Sequence, residues 1–288
     1  MQFHLEVKHN ASRIGSKDKR PPLVPYAIPV LGSTLAFSSQ NTGAFWRWLL
    51  LKTNQHDLRA ASILLNGTRT HLIFDPPAVS IVFKSRQISR IELDRKLGTN
   101  VLGMSKEDAV RAFTSETTSK DSLTTQRIHS DFLLDSTAVN TLTANFMEQF
   151  QSALAAEHGL VAGKEVNLFA WLKDLLFRSS TTALCGSNLL RKYPDFGTDY
   201  WLWDENVLAL LFGTPRLFAP NVYKARDALL DRLEDWLVEG YSADDDSDDP
   251  EWEPFFGAKV MRRRHAFYEQ QNLSLRAQAG FDLIFLAG

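Results

Sequence analysis

The stretch that decides the fold is SILLNGTRTHLIFDP, residues 62–76. Two β-rich runs flank Asn66-Gly67, the dipeptide most typical of a two-residue type I′ hairpin turn. Asp75 and Pro76 follow at once, an order typical of a helix N-cap and first helical position. We therefore predict an antiparallel hairpin that leads directly into a helix ending near Phe83. We expect apolar side chains to bury one face of that helix: Val79, Val82 and Phe83.

Upstream of the hairpin, residues 21–32 read PPLVPYAIPVLG. Four prolines in nine residues exclude a helix and favour an extended path. The apolar residues between the prolines favour packing onto the domain over a polyproline ligand motif. Residues 1–20 are polar and basic and lack the apolar centre of a secretory signal. We expect this first segment to be disordered.

Downstream of the hairpin, helical spacing of apolar residues dominates. The expected helices cover residues 43–58, a segment around Val139–Leu154, a segment from Asn167 to Gly186, residues 196–212, a long segment from Asn221, and Leu275–Gly288. On the helix capped by Asn167 we expect these side chains to face inward: Leu168, Trp171, Leu172, Leu175 and Leu176. Residues 97–104 are expected to form a loop with two glycine turns, and the acidic residues 242–254 a second loop. The fold class is therefore mainly α with a small β-sheet.

Composition excludes several classes of protein. The 288 residues carry a net charge of −2, which argues against a general nucleic-acid binder. A single cysteine excludes an internal disulfide framework and a cysteine-based zinc site. The apolar runs are far shorter than the roughly 20 residues of a transmembrane helix.

No short catalytic motif is present. The glycines form no dinucleotide fingerprint or P-loop, there is no G-x-S-x-G elbow, and the seven histidines are scattered, so we expect no metal site. The adjacent acids Glu107 and Asp108 could act in acid–base chemistry, but isolated acids are mostly solvated and we interpret them as surface charge. Cys185 could be a nucleophile or metal thiolate. Since no basic residue lies near it until Arg191, we favour a small buried side chain.

Several segments, taken in order, resemble the N-terminal part of a cytochrome P450, a haem-thiolate monooxygenase. They are the proline-rich stretch 21–32, the hairpin with Asp75-Pro76, VNLFAW at 166–171, YWLWDE at 200–205, LFGTP at 211–215, YKARD at 223–227 and the apolar run 272–288. More narrowly, they resemble fungal members related to sterol 7α-hydroxylases and prostacyclin synthase. The resemblance covers about residues 20–288 and implies one domain over 21–288, an incomplete P450 fold that reaches the start of the central helix.

The resemblance also shows which parts of the family pattern are missing. The family's haem-binding F-x-x-G-x-x-x-C-x-G motif and its W-x-x-x-R arginine have no match here, and Cys185 stands in a different context. The resemblance places both the family's E-x-x-R pair and the haem thiolate beyond Gly288. For this chain we expect no catalytic, cofactor-binding or metal-binding residue, and no haem.

The resulting interpretation is a truncated, catalytically inactive P450-like protein, a degenerate member of a fungal secondary-metabolite or lipid pathway. An active haem-dependent monooxygenase with a shortened gene model is one alternative, and a non-catalytic lipophile-binding or interaction module is another. Intact relatives use a reductase partner and a lipophilic substrate, and they are anchored to the endoplasmic reticulum membrane. With no anchor in this chain we expect a soluble or cytoplasmic protein, and its substrate and partners stay open.

Overall fold

The structure is a computed structural model that describes residues 20–26, 28–29, 31–37, 42–55, 58–85, 87–114, 125–243 and 249–287. The basic segment 1–19 and residues 244–248 of the predicted acidic loop lie outside the described residues. In chain order the elements are α1 Thr34–Phe37, α2 Thr42–Gln55, β1 Ala60–Leu65, β2 Thr68–Ile73, α3 Pro76–Lys84, α4 Ile91–Lys96, α5 Lys106–Ala112, α6 Thr125–His129, α7 Ser136–Val161, α8 Leu168–Cys185, α9 Ser187–Lys192, α10 Phe196–Asp204, α11 Val207–Leu211, α12 Pro220–Ala243, β3 Trp252–Glu253, β4 Gly257–Ala258, α13 Lys259–Gln270 and α14 Leu275–Leu286.

The chain divides into two compact units. The first contains the residues up to Glu92 together with Glu205–Pro220, and the second contains Leu93–Asp204 and Asn221–Gly288. Helices make up most of the described residues, above all in the second unit, and the described strands form two small antiparallel pairs. The predicted class, mainly α with a small sheet, is confirmed.

The predicted hairpin is confirmed in the first unit. Strands β1 and β2 pair antiparallel, with Leu65 opposite Thr68 across the turn. Asn66 and Gly67 both have positive φ, 45° and 77°, as a type I′ turn requires.

The proline-rich stretch packs onto this hairpin. The Val24 amide donates to the Ser62 carbonyl, and the Ser62 amide donates to the Pro22 carbonyl, both at 2.7 Å. Val24 also enters an apolar cluster with residues of α1, α2 and β1: Phe37, Phe45, Leu49, Ala61, Ile63 and Leu65. The segment is therefore part of a folded unit, as its apolar residues predict.

Helix α3 begins as predicted, but its apolar face is not buried. The Asp75 carboxylate accepts a hydrogen bond from the Ala78 amide at 3.1 Å, and proline occupies the first turn. However, Phe83 is 86% exposed, and Val79 and Val82 are only half-buried. The expectation of a buried face is wrong because helical spacing defines an apolar face without supplying a neighbour to cover it.

In the second unit, both ends of α8 match the prediction. The Asn167 side chain accepts from the Ala170 amide at 3.0 Å, and Gly186 ends the helix with a φ of 78°. Leu175 is fully buried as expected, but Leu168 and Leu176 are exposed to 62% and 44%. The buried face of α8 is therefore narrower than the spacing of its apolar residues predicts.

Three further segments have a secondary structure that differs from the prediction. Residues 196–212 form two helices, α10 and α11, instead of one. Residues 97–101 form a π-helical turn, closed by a hydrogen bond from the Leu102 amide to the Leu97 carbonyl, so the predicted loop is wrong for these residues. It holds for residues 102–104, where Gly103 has a φ of 63°. The end of the predicted acidic loop folds as well: β3 pairs with β4, and Asp249 forms ion pairs with Lys259 and Arg263.

The turn geometry generates a test. We expect Gly67→Ala to destabilise the protein by about 1 kcal/mol, because an alanine at this positive φ is strained although nothing crowds the position. Gly43 lies in α2, also has open space around it and has no positive φ, so Gly43→Ala is the matched control. Chemical denaturation should show the control neutral or stabilised by roughly 0.5 kcal/mol. Equal effects at both glycines would contradict the assigned turn.

Candidate functional site

Cys185 is the only cysteine of the chain, and its thiolate would be the most reactive side-chain group available to a functional site. Cys185 is the last residue of α8 and is fully buried. The β3–β4 hairpin covers this helix end: the Trp252 indole donates to the Ala183 carbonyl at 3.1 Å, and a Cβ on Gly186 would lie 2.2 Å from the Pro254 carbonyl oxygen. Closely packed backbone therefore surrounds the position.

The electrostatics of this position oppose ionisation. Burial raises the pKa of the Cys185 thiol well above its ordinary value, the Asp282 carboxylate raises it further, and Arg264 offsets only part of this. A neutral thiol is not an activated nucleophile. An iron ligand at this position would also need an open approach to the sulfur, which the closely packed backbone around Gly186 does not leave. The interpretation of Cys185 as a small buried side chain is confirmed, and its surroundings do not fit a haem iron.

The charges near Cys185 form a buried cluster between α13 and α14. The Asp282 carboxylate is fully buried, with one oxygen 2.8 Å from Nε2 of His265 and the other 4.0 Å from the Arg264 guanidinium. Arg264 also donates to the Phe281 carbonyl at 2.9 Å. Aromatic rings surround the His265 imidazole: Trp236, Tyr241, Phe256 and Tyr268. Such pairing compensates part of the desolvation cost of the buried carboxylate.

Sequence reasoning missed this cluster, although a signal was present. Asp282 is the only charge in the apolar run 279–288, and a lone acid on the buried face of a helix needs a partner. Nothing local identifies that partner, because His265 lies 17 residues earlier on another helix.

The interpretation of Glu107 and Asp108 as surface charge holds for Glu107 and is wrong for Asp108. Asp108 is buried and joins the starts of two helices, accepting from the hydroxyls of Ser105 at 2.9 Å and Ser274 at 2.7 Å. These serines are the N-caps of α5 and α14. Asp108 is therefore a structural link between segments 166 residues apart.

The end of the π-helical turn and the residue after it are fixed from two sides. The Arg226 guanidinium of α12 donates to the Asn100 carbonyl at 2.7 Å. On the other side α14 approaches so closely that a Cβ on Gly280 would lie 2.7 Å from the Leu102 carbonyl oxygen. Val101 and Leu102 are fully buried as a result.

The described residues include neither a candidate metal-ion cluster nor a membrane-spanning helix. Within those ranges, no group of three or more histidine, cysteine or acidic side chains is placed to hold a metal ion. The helices described for this chain include none with the length and apolar character needed to cross a membrane.

Comparison with known proteins identifies the fold. The chain is 25% identical over 288 residues to the cytochrome P450 monooxygenase fsoE of Humicola fuscoatra, covering 93% of this chain and 47% of that protein. It is 22% identical over 282 residues to the monooxygenase efuG of Hormonema carpetanum, covering 93% and 48%. The monooxygenase poxD of Penicillium oxalicum is 22% identical over 271 residues, covering 92% and 51%. No protein-family model matches.

A solved structure agrees with these relatives. The retinoic acid-bound cyanobacterial CYP120A1 superposes with a TM-score of 0.57 at 19% identity, covering 92% of this chain and 55% of that one. The resemblance to fungal cytochromes P450 is confirmed, and the fold corresponds to part of a P450. The chain spans about half the length of the curated relatives it matches.

The buried position of Cys185 predicts low reactivity. We expect the native thiol to react with a disulfide reagent at least about a thousandfold more slowly than in the urea-unfolded chain, because reaction requires opening of the core. Absorbance of the released thiol measures both rates, and Cys185→Ala supplies the blank. Comparable rates in the folded and unfolded chain would show an accessible thiol.

The Asp108 link predicts a pH-dependent stability. Burial alone would raise the pKa of Asp108, but hydrogen bonds from Ser274 and Ser105 outweigh it and hold that pKa below its ordinary 3.8. The stabilisation is therefore complete above the ordinary value and is lost as the pH falls through the lower folded-state value. We expect Asp108→Asn to cost about 1 to 2 kcal/mol near pH 7 and less in acid.

The control for Asp108 is Glu107→Gln, a substitution one residue away at an exposed acid. Denaturant titrations at a series of pH values should leave this control close to wild type throughout. A constant difference between Asp108→Asn and wild type down to the acid limit would contradict the carboxylate's role.

Proposed function

We propose that these 288 residues supply a part of a P450 monooxygenase fold that does not carry the iron-ligating cysteine, and that alone they activate no oxygen. The similarity to three fungal monooxygenases supports the class. One observation carries the rest: the only cysteine of the chain is fully buried beneath closely packed backbone.

The chemistry explains why that observation is decisive. When bound through a cysteine thiolate, haem iron receives electron density that favours O–O cleavage. In this chain the hairpin carbonyls around Gly186 close off Cys185, and the Asp282 charge disfavours its thiolate. The role left to these residues is to build and hold a framework, with α14 fixed by Asp108 at its start and by Arg264 and His265 along its length.

The reductase partner and lipophilic substrate of intact P450s belong, in this proposal, to a protein that also supplies the thiolate. We propose none for these residues alone. A fungal pathway of secondary metabolism or lipids stays part of the proposal, since the similar proteins are fungal.

The direct test is the reduced carbon-monoxide difference spectrum after expression with haem supplied. We expect no Soret band at the position of a thiolate-ligated haem, and an identical spectrum for Cys185→Ala. The full-length Humicola monooxygenase, treated in the same way, is the positive control. A thiolate-type band that Cys185→Ala abolishes would overturn the proposal.

A second observation separates the two gene-level interpretations. The transcript can be sequenced past the codon for Gly288. An open frame that encodes an F-x-x-G-x-x-x-C-x-G motif would make these residues a portion of an active monooxygenase, whereas a stop codon would favour an inactive protein.

A further inference from the structure

Helix α6 contacts both α13 and α14 through its last residue. His129, the last residue of α6, places its Nε2 atom 3.4 Å from Nη1 of Arg264 on α13. Its ring stacks on Phe285 of α14, with centroids 6.2 Å apart and an interplanar angle of 23°. The Arg264 guanidinium lies over the same Phe285 ring at 3.9 Å. Phe285 therefore contacts both the imidazole and the guanidinium.

The protonation state of His129 decides whether this contact is attractive. Arginine stays charged and can only donate, so Nε2 of His129 must act as the acceptor, which requires a neutral imidazole. Protonation would turn that acceptor into a donor and place two positive charges about 3.4 Å apart. Like charges at such a distance repel, most strongly where water is partly excluded.

We propose that His129 is a pH-sensitive contact that holds α6 on α13 and α14 only while its imidazole is neutral. Acidification then releases α6 from the helix pair, and the rest of the second unit stays folded. Imidazole is the side chain that ordinarily changes charge between pH 5 and 8.

The charged groups around His129 favour its neutral form over its protonated form. From α13 it faces Arg264, with His265 and Tyr268 beside that arginine. From α14 the nearest charge is Asp282, which lies beyond the guanidinium and already contacts His265. On its own side, Arg127 pairs with Asp131 at 3.7 Å, and both side chains are more than half exposed. The charge that directly contacts His129 is thus positive.

The pKa of His129 is lowered in the folded chain, which also favours the neutral imidazole. Burial lowers it below its ordinary 6.5, and Arg264 lowers it further. A histidine with a lowered folded-state pKa stabilises the fold fully above its ordinary value, and this contribution is lost progressively as the pH falls below it. The release of α6 should therefore begin as the pH falls below about 6.5, and it should increase at lower pH.

Hydrogen exchange resolved by segment provides the test. The amides that report on α6 are those of residues 129–135, which close α6 and the π-helical turn Ser130–Leu134 that continues it. Between about pH 7.5 and about pH 5, after correction for intrinsic exchange, we expect their protection to fall roughly tenfold, as repulsion at this distance allows. Protection in α8 and α12 should change less than about twofold over the same range. A loss of protection that includes α8 and α12 equally would refute the proposal, since the response would then be global.

Two substitutions of His129 complete the test. His129→Gln keeps an acceptor without a charge, so α6 should stay protected at both pH values. His129→Arg carries a permanent charge, so α6 should lose protection already at neutral pH. His71→Gln removes a histidine from the other unit and should leave the α6 response unchanged. An acid response retained in His129→Gln, or full α6 protection in His129→Arg, would overturn the proposal.

Discussion

A fully buried carboxylate constrains the second unit. Asp282 lies on the inner face of α14 without solvent contact, so its charge must be compensated by the protein. Arg264 and His265, adjacent on α13, supply that compensation. Because both partners are on one helix, the pairing fixes how α13 and α14 are rotated against each other.

The same charge determines what Cys185 can do. Asp282 acts together with burial to keep the thiol protonated, and Arg264 only partly opposes it. The charge that joins α14 to α13 therefore also disfavours ionisation of the Cys185 thiol. At the start of α14, Asp108 and Ser274 add a second fixed point. Between these points Gly280 admits the backbone of Leu102, so the residues after the π-helical turn pack as part of the framework.

Local chemistry explains which elements could be predicted. Asn66-Gly67, Asp75-Pro76, and the pair Asn167 and Gly186 each act within a few residues, and the structure confirms all three. The errors arise where long-range packing decides. Phe83 has the right spacing for a buried face but is exposed, and Gly98 suggested a loop where close packing supports a π-helical turn. The predicted loop remains only after that turn, where Gly103 has a φ of 63°. Asp108 and His129 contact Ser274 and Arg264, which lie more than 130 positions away in the sequence. No pattern within one segment predicts such pairs.

The measurement that tests the central claim most directly is the S–H stretching band of native Cys185 in Raman spectra recorded across a pH titration. The account predicts that the band persists above the ordinary thiol pKa of 9.0 for as long as the chain stays folded, because burial and Asp282 oppose ionisation. Loss of the band near neutral pH in the folded protein would show a thiolate at Cys185. That result would contradict the account, in which the buried Cys185 thiol stays neutral.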